Sequence, residues 1–223
     1  MERMTVLTNI NQLTQPSMEQ VLNHTDQHYD PEASKLGMWL FIFTELLLFG
    51  GLFMIYSVYR YLNPEAFQLA AHELNTFIGA LNTVILLVSS MTIAMSTSAL
   101  QQKNKKLTVF LIIITLILAV VFLINKYFEW GLKIEHGIYP GSAHLINDFS
   151  QGEILFFALY FVMTGLHALH IIVGMIIMSV ALVKVQKGTV NANRPVLLEN
   201  AGLYWHLVDL IWIFLFPLFY LIH

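Results

Sequence analysis

The sequence predicts an all-α integral membrane bundle of five transmembrane helices. The chain is 57% hydrophobic and only 11% charged, whereas a soluble domain is usually about 25% charged. Several runs of more than about 18 residues contain no Asp, Glu, Lys or Arg, which is enough to cross a bilayer as a helix. These runs are too long for strands and do not alternate with a period of two.

Two further features of the composition exclude whole classes of function. The chain has no cysteine, so disulfides, thiolate metal sites and iron–sulfur clusters are excluded. The net charge of −3 is too small to indicate a nucleic-acid partner. The sequence therefore indicates a membrane protein whose chemistry, if any, depends on polar groups inside the bundle.

The first 34 residues differ from the rest of the chain. Residues 1–34 are polar and rich in Asn, Gln and Thr, and they contain no apolar segment typical of a cleavable signal peptide. They are predicted to be a flexible leader, so that residues 35–223 form the membrane domain. The first transmembrane segment is then expected to direct insertion.

Local signals place the boundaries of the five spans. The spans are predicted at about 36–61, 74–100, 107–128, 153–183 and 199–222. Ser150 and Glu153 have the spacing of a capping box before the fourth span. Gly188 and Pro195 lie in the linker before the fifth, and the short segment 101–106 indicates a tight hairpin between the second and third.

The basic residues orient the bundle. Eight of the eleven Lys and Arg residues fall in the leader and in the linkers 101–106 and 184–200, which share one side of the membrane. They are Arg3, Lys35, Lys103, Lys105, Lys106, Lys184, Lys187 and Arg194. By the positive-inside rule, the amino terminus is predicted to be cytoplasmic and the carboxyl terminus outside.

One ionisable residue interrupts the first span. Glu45 is the one charged residue in the run from 36 to 59. Placing a carboxyl near the middle of a membrane helix costs at least about 2.5 kcal/mol on insertion scales, so such residues rarely persist without a role. The Glu45 side chain is therefore expected to face other helices.

Each of the other helices also carries polar residues. Those predicted to form the intramembrane polar cluster, beside Glu45, are Asn82, Glu129, His167, His170, His206 and Asp209. His167 and His170 stand at i and i+3, which predicts that both rings point the same way. Such groups can close a structural network, line a path for protons or ions, or ligate a metal. Neither the His-x-x-His nor the His-x-x-Asp spacing suits two stacked haems or a di-iron carboxylate bundle.

The connection between the third and fourth spans is predicted to be an external loop. Segment 129–152 is long for a bundle linker, and it is expected to be a solvated surface loop with a short interfacial helix anchored by Trp130 and Tyr139. Its residues His136, His144 and Asp148 could together bind a metal, but their spacing matches no established pattern.

Four ordered motifs resemble a known family. They are KLGMWLFIFTE at 35–45, LNT at 81–83, TGLHALHIIVG at 164–174 and YWHLVDLIW at 204–212. Together they resemble subunit III of the haem–copper oxidases, the cytochrome c oxidase subunit III family. The chain departs from the family pattern in two ways. Many members have seven helices, whereas this chain has five and is similar to a shorter bacterial form that lacks the first two. Lys126 also stands where relatives carry a glutamate.

The resemblance implies a non-redox accessory subunit. In this family haem and copper belong to partner subunits, which reduce oxygen with electrons from cytochrome c and pump protons. Subunit III binds no haem or copper, packs mainly on subunit I, and is associated with subunit II, other oxidase subunits and phospholipid. No catalytic residue, metal ligand or cofactor-binding residue is expected in this chain, and Glu45 matches the family's buried, carbodiimide-reactive glutamate. The expected location is the bacterial cytoplasmic (inner) membrane, within a respiratory complex or a larger supercomplex.

Within that framework, Glu45, His206 and Asp209 are expected to form one cluster, and His167 with His170 a second. Other assignments stay open from the sequence. The chain could be the equivalent subunit of a quinol oxidase or a nitric oxide reductase, since both share the motifs. A small transporter is disfavoured because no broken helix pair or inverted repeat is evident, and a metal-dependent membrane enzyme is disfavoured by the spacings.

Overall fold

Seven α-helices make up the part of the chain that the computed structural model describes, residues 31–222. They are α1 (Pro31–Leu62), α2 (Pro64–His72), α3 (Thr76–Gln101), α4 (Lys105–Glu135), α5 (Ala143–Asp148), α6 (Gln151–Gln186) and α7 (Val196–Tyr220). Five of these, α1, α3, α4, α6 and α7, are long and apolar enough to cross a membrane. The predicted all-α class with five spanning helices is confirmed. The predicted leader lies almost wholly outside the described residues.

The helices extend further than their apolar cores. The largest difference is at the end of α4, which continues to Glu135 instead of stopping near residue 128. The predicted loop 129–152 is therefore wrong at its start: Glu129 and Trp130 lie in a helix, and the connection to α6 is shorter and contains α5. The extra turns are stabilised by buried partners of Glu129, which the sequence pattern does not reveal.

Helix α2 was not predicted. Pro64 occupies the first turn, where a missing backbone N–H costs nothing. The helix buries Phe67, Ala70 and Ala71, and the ring of Phe67 packs edge-on against Phe156 of α6 at 5.4 Å between centroids. A helix this short gives little periodic signal in a sequence.

Side-chain caps start three of the spanning helices. Asn75 accepts hydrogen bonds from the amides of residues 77 and 78 at the start of α3, and Asn104 accepts one from Leu107 at the start of α4. At α6, Ser150 and Glu153 cap each other's backbone amides, which confirms the predicted capping box. These caps satisfy amides that have no acceptor within the helix.

Helices α3, α4, α6 and α7 form the packed core of the bundle. Helix α7 is the most buried of the spanning helices, and Gly174 of α6 allows it a close approach. A Cβ atom at Gly174 would lie 2.9 Å from the ring of Trp205, so a larger residue would force the two helices apart.

Helix α1 is joined to the core mainly by long side chains. The hydroxyl of Tyr56 donates to the carbonyl oxygen of Leu218, and the ring of Phe41 stacks on Tyr204 with 5.8 Å between centroids. Most other residues of α1 are exposed, and many of them are large and apolar. The few polar contacts of α1 therefore have a large share in holding it in place.

Candidate intramembrane polar site

Glu45 of α1 pairs with His170 of α6. The distance from Glu45 Oε2 to His170 Nε2 is 3.0 Å, and the two side chains are only 14% and 12% exposed. The ring of Phe49, one turn along α1, lies edge-on to the His170 ring at 5.4 Å. The carboxyl that the sequence singled out thus faces another helix, as predicted.

The hydrogen bonds of His170 show how many protons the pair holds. His170 Nδ1 lies 2.7 Å from the carbonyl oxygen of Leu166, which can only accept, so Nδ1 carries a hydrogen. The contact from Nε2 to Glu45 then needs one more proton, either on the carboxyl or on the ring nitrogen. In both forms the pair is neutral overall, with one hydrogen between the carboxyl and the ring nitrogen.

Helix α7 closes this pair from one side. The hydroxyl of Tyr204 donates to the backbone oxygen of His170 over 3.0 Å. Nearer one end of α1, Lys35 forms an ion pair with Glu199 of α7 at 3.0 Å. Glu45 lies ten residues beyond Lys35 in the same helix, about 15 Å deeper along its axis.

The expected grouping of Glu45 with His206 and Asp209 is wrong. His206 Nδ1 instead lies 2.7 Å from the hydroxyl oxygen of Ser90 on α3. Asp209 is almost fully buried, and neither carboxyl oxygen has a hydrogen bond within residues 31–222. Ser90 lies near Asp209 as well, but its hydroxyl is engaged by His206.

His167 and His170 have separate environments, contrary to the prediction that both rings point the same way. His167 is fully buried, with its ring 5.2 Å from Trp212 and 5.6 Å from Phe122 between centroids. Neither of its ring nitrogens has a hydrogen bond among the described residues. Positions i and i+3 differ by about 60° around a helix, which is enough to turn one ring towards α1 and the other into the core.

Replacing His167 with phenylalanine is expected to leave the stability of the protein unchanged or raised. No hydrogen bond is lost, an aromatic ring remains to pack against Trp212 and Phe122, and a buried polar group is removed. The measurement is thermal unfolding of the purified protein in mild detergent. The control is Ser89→Ala, which deprives Trp205 Nε1 of its 3.0 Å acceptor and should cost about 1–3 kcal/mol. A loss of stability in His167→Phe as large as in the control would mean that His167 has a polar partner.

A second polar group lies where α4, α6 and α7 meet. It consists of Lys126 and Glu129 of α4, Tyr160 of α6 and Tyr220 at the end of α7, and we refer to it as the Lys126 cluster. Lys126 and Glu129 are 3% and 5% exposed, and Lys126 Nζ lies 2.9 Å from Glu129 Oε2. This is a buried ion pair inside an apolar bundle.

Every polar hydrogen of the Lys126 cluster finds an acceptor. Lys126 Nζ donates to Glu129, to the Tyr220 hydroxyl at 2.9 Å and to the Tyr160 hydroxyl at 3.1 Å, which uses its three hydrogens. Both tyrosines in turn donate to Glu129 Oε1, at 2.8 Å from Tyr160 and 2.5 Å from Tyr220. The ammonium nitrogen also lies 5.3 Å from the centre of the Trp212 ring, within range of a cation–π interaction.

Two of the four residues of this cluster were not predicted from the sequence. Glu129 stands out as an ionisable residue and Lys126 as a departure from the family pattern, whereas nothing in the sequence marks Tyr160 or Tyr220. The available signal was the spacing of Lys126 and Glu129 at i and i+3, which favours an ion pair on one helix face. The two tyrosines come from positions far along the chain, so only the fold brings them to the pair.

The remaining polar residues join α3 to its neighbours. Asn82 accepts a hydrogen bond from Asn125 of α4 over 2.9 Å, and its own amide nitrogen has no partner among the described residues. Thr92 of α3 and Thr115 of α4 form a similar contact at 2.8 Å. These bonds fix the register of α3 and α4, as interhelical hydrogen bonds do in membrane proteins.

No metal site is evident in the part of the chain that the structure describes. Residues 31–222 contain no group of three or more His, Cys, Asp or Glu side chains close enough to hold a metal ion. His144 lies 2.6 Å from Asp148, but His136 is turned to the backbone oxygen of Leu132 in its own helix. The structure thus brings His144 and Asp148 together, while the His136 ring is engaged within its own helix.

The fold and its polar groups define a multi-pass helical membrane protein whose buried polar residues form hydrogen bonds between helices. Comparison with known proteins makes the class specific. The chain belongs to the cytochrome c oxidase subunit III family, which it matches over residues 4–223. The sequence-based resemblance is confirmed.

Two relatives illustrate the range of the family. The chain is 32% identical over 210 residues to a protein of Aeropyrum pernix named heme-copper oxidase subunit I+III, covering 87% of this chain but only 23% of that much longer protein. It is 27% identical over 194 residues to a probable quinol oxidase subunit 3 of Staphylococcus aureus, covering 87% of this chain and 91% of the relative.

Proposed function

We propose that this chain is the accessory subunit III of a haem–copper terminal oxidase, packing on subunit I and sustaining oxygen reduction coupled to proton pumping. Membership of the subunit III family supports this role. The Aeropyrum relative combines subunits I and III in its name and in one polypeptide. A fusion of that kind supports direct contact between the two subunits where they are separate chains.

The observation that carries the proposal is the Glu45–His170 contact. Glu45 ends the first of the four motifs, and His170 lies in the third, 125 residues further along. The fold brings these two motifs together in one partly buried, proton-sharing pair. Two groups that recur in a family pattern and meet in space form a site, and a plain packing role would not need a carboxyl at this depth.

The rest of the assignment follows from the same role. The haem and copper belong to partner subunits, and this chain contributes no catalytic residue. Its partners are subunit I, subunit II and other oxidase subunits, with membrane phospholipid around them. The location is the bacterial cytoplasmic membrane, with the amino terminus cytoplasmic according to the distribution of basic residues.

The electron donor has two candidates. Cytochrome c is the donor in the oxidases after which the family is named, whereas the Staphylococcus relatives are named as quinol oxidase subunits. The donor binds other subunits, so the choice is made outside this chain. Supplying the purified complex with reduced cytochrome c or with a quinol, and measuring oxygen uptake, separates the two.

Purification of the tagged chain in mild detergent tests the proposal. We expect a large haem-bearing subunit to co-purify, and the oxidase absorbance to remain with that subunit when the complex is dissociated. The control is a tagged, unrelated multi-pass protein of the same membrane, which should bring down no haem. A chain that purifies alone, or that retains metal or haem by itself, would contradict the role of accessory subunit.

A further inference from the structure

The last turn of α7 contacts the other four spanning helices, α1, α3, α4 and α6. We call residues 217–220 the terminal turn. Pro217 lies inside α7 and has no amide hydrogen, so it cannot donate to the carbonyl oxygen of Ile213 one turn earlier. The carbonyl oxygens that follow lie at the helix end, where the helix itself supplies no donor. The terminal turn therefore depends on other helices for its position.

Two side chains from other helices cap these carbonyl oxygens. The hydroxyl of Tyr56 on α1 donates to the carbonyl oxygen of Leu218, and the hydroxyl of Thr76 on α3 donates to that of Tyr220 over 3.2 Å. The ring of Phe219 also packs edge-on against the Tyr56 ring, with 5.1 Å between centroids. Helix α1 is thus attached to the terminal turn by a hydrogen bond and by an aromatic contact.

The side chain of Tyr220 attaches the same turn to the Lys126 cluster. Its hydroxyl donates to Glu129 Oε1 at 2.5 Å and accepts a hydrogen bond from Lys126 Nζ at 2.9 Å. Hydrogen bonds to charged groups are stronger than those between neutral groups, and here both charges are buried. The cluster therefore fixes the residue that ends α7.

Tyr56 anchors the carboxyl-terminal half of α1. It is fully buried, whereas its neighbours Ile55 and Ser57 are exposed. Glu45 lies eleven residues before Tyr56 in the same continuous helix, about 16 Å away along the axis. A shift of Tyr56 away from the terminal turn would therefore tilt the segment of α1 that carries Glu45.

We propose that the Lys126 cluster positions α1 through the terminal turn of α7. Tyr220 ties the turn to the cluster, and Tyr56 ties α1 to the turn, so both act as positioning residues. The contact between Glu45 and His170 then depends on a buried ion pair of a third helix, α4. The consequence for the oxidase rests on the proposed function, whereas the coupling between α4 and α1 can be measured without it.

Hydrogen–deuterium exchange of the complete complex, followed by mass spectrometry on peptides from residues 46–62, tests the coupling. Tyr220→Phe keeps the ring but removes its hydrogen bonds to the cluster, so we expect the amides of α1 to exchange roughly tenfold faster than in wild type. Tyr56→Phe breaks the final link and should accelerate exchange at least as much. Thr76→Val frees the same turn without touching the cluster and should act in the same direction.

Tyr160→Phe is the matched control. Tyr160 donates to the same oxygen of Glu129 and accepts from the same nitrogen of Lys126, but it lies on α6 and not in the terminal turn. This variant should weaken the cluster to a similar degree and leave exchange in α1 as in wild type. Equal acceleration in Tyr160→Phe and Tyr220→Phe would indicate general loosening of the bundle, and unchanged exchange in Tyr220→Phe would indicate no coupling; either result overturns the proposal.

Oxygen uptake over repeated turnovers connects the coupling to Glu45. Tyr220→Phe should shorten the active lifetime of the oxidase, and adding Glu45→Gln should shorten it no further, because both changes act on one pair. Independent, additive losses, or a lifetime that Tyr220→Phe leaves unchanged, would overturn the positioning role. Co-purification of the haem-bearing subunit is scored on the same samples, so that a failure of the proposed function is seen separately.

Discussion

Replacing Lys126 with methionine is expected to destabilise the protein by about 3–5 kcal/mol, the largest effect we predict for a single side chain. The substitution keeps the apolar stem but leaves Glu129 buried at 5% exposure without its counter-charge. It also removes three donated hydrogen bonds. The measurement is the unfolding free energy of the purified protein, titrated with a denaturing detergent in mixed micelles.

The double variant Lys126→Met/Glu129→Gln separates the ion pair from simple packing. The introduced glutamine can still accept hydrogen bonds from Tyr160 and Tyr220, and no uncompensated charge remains, so most of the lost stability should return. The surface pair of Lys35 and Glu199 serves as the control: Lys35 is 51% exposed, and Lys35→Met should cost at most about 1 kcal/mol. If the double variant is no more stable than Lys126→Met, the buried charge of Glu129 is not the cause.

Replacing Glu45 with glutamine is expected to leave assembly intact and shorten the active lifetime of the oxidase several-fold during turnover. Glutamine retains the size of the side chain and can still donate a hydrogen bond to His170 Nε2, so α1 stays in place. What is lost is the single proton that the carboxyl and the ring share. The measurement is oxygen uptake followed over repeated turnovers, together with the amount of complex recovered.

Two companion variants decide between a proton-sharing role and packing. His170→Asn removes the other half of the pair and should shorten the lifetime to a similar degree. Glu65→Gln, at an exposed position of α2, removes a carboxyl outside the pair and should behave as wild type. If Glu45→Gln turns over as durably as wild type, the pair serves only to hold α1 against α6.

The number and type of the spanning helices could be predicted because each is encoded locally. A lipid environment requires every backbone amide to be bonded within its own helix, so length and apolar character are sufficient evidence. The start of α6 could likewise be predicted from nearby residues, because Ser150 and Glu153 cap the helix they begin. The end of α4 could not be predicted in this way, because charged residues after an apolar run usually mark the membrane boundary. Here Lys126 and Glu129 continue the helix as a buried pair.

In the site, too, some features could be predicted from short segments of sequence and others depend on the fold. Glu45, Glu129 and the histidines could be identified because an ionisable group in an apolar run is rare and costly. Their partners could not be assigned correctly. A shared helix face restricts two side chains only to the same side, and the rotation and tilt of each helix decide which neighbour each one meets. His170 therefore reaches α1 while His167 packs against Trp212.

By itself, the sequence determined the membrane class, the five spans and the family, and it singled out Glu45, because hydropathy and motif residues are properties of short segments. Only the tertiary structure decided that Glu45 belongs with His170 and that Tyr160 and Tyr220 surround Lys126 and Glu129. The physical reason is that a buried polar group needs a partner, and in a helical bundle that partner comes from another helix at a position set by packing.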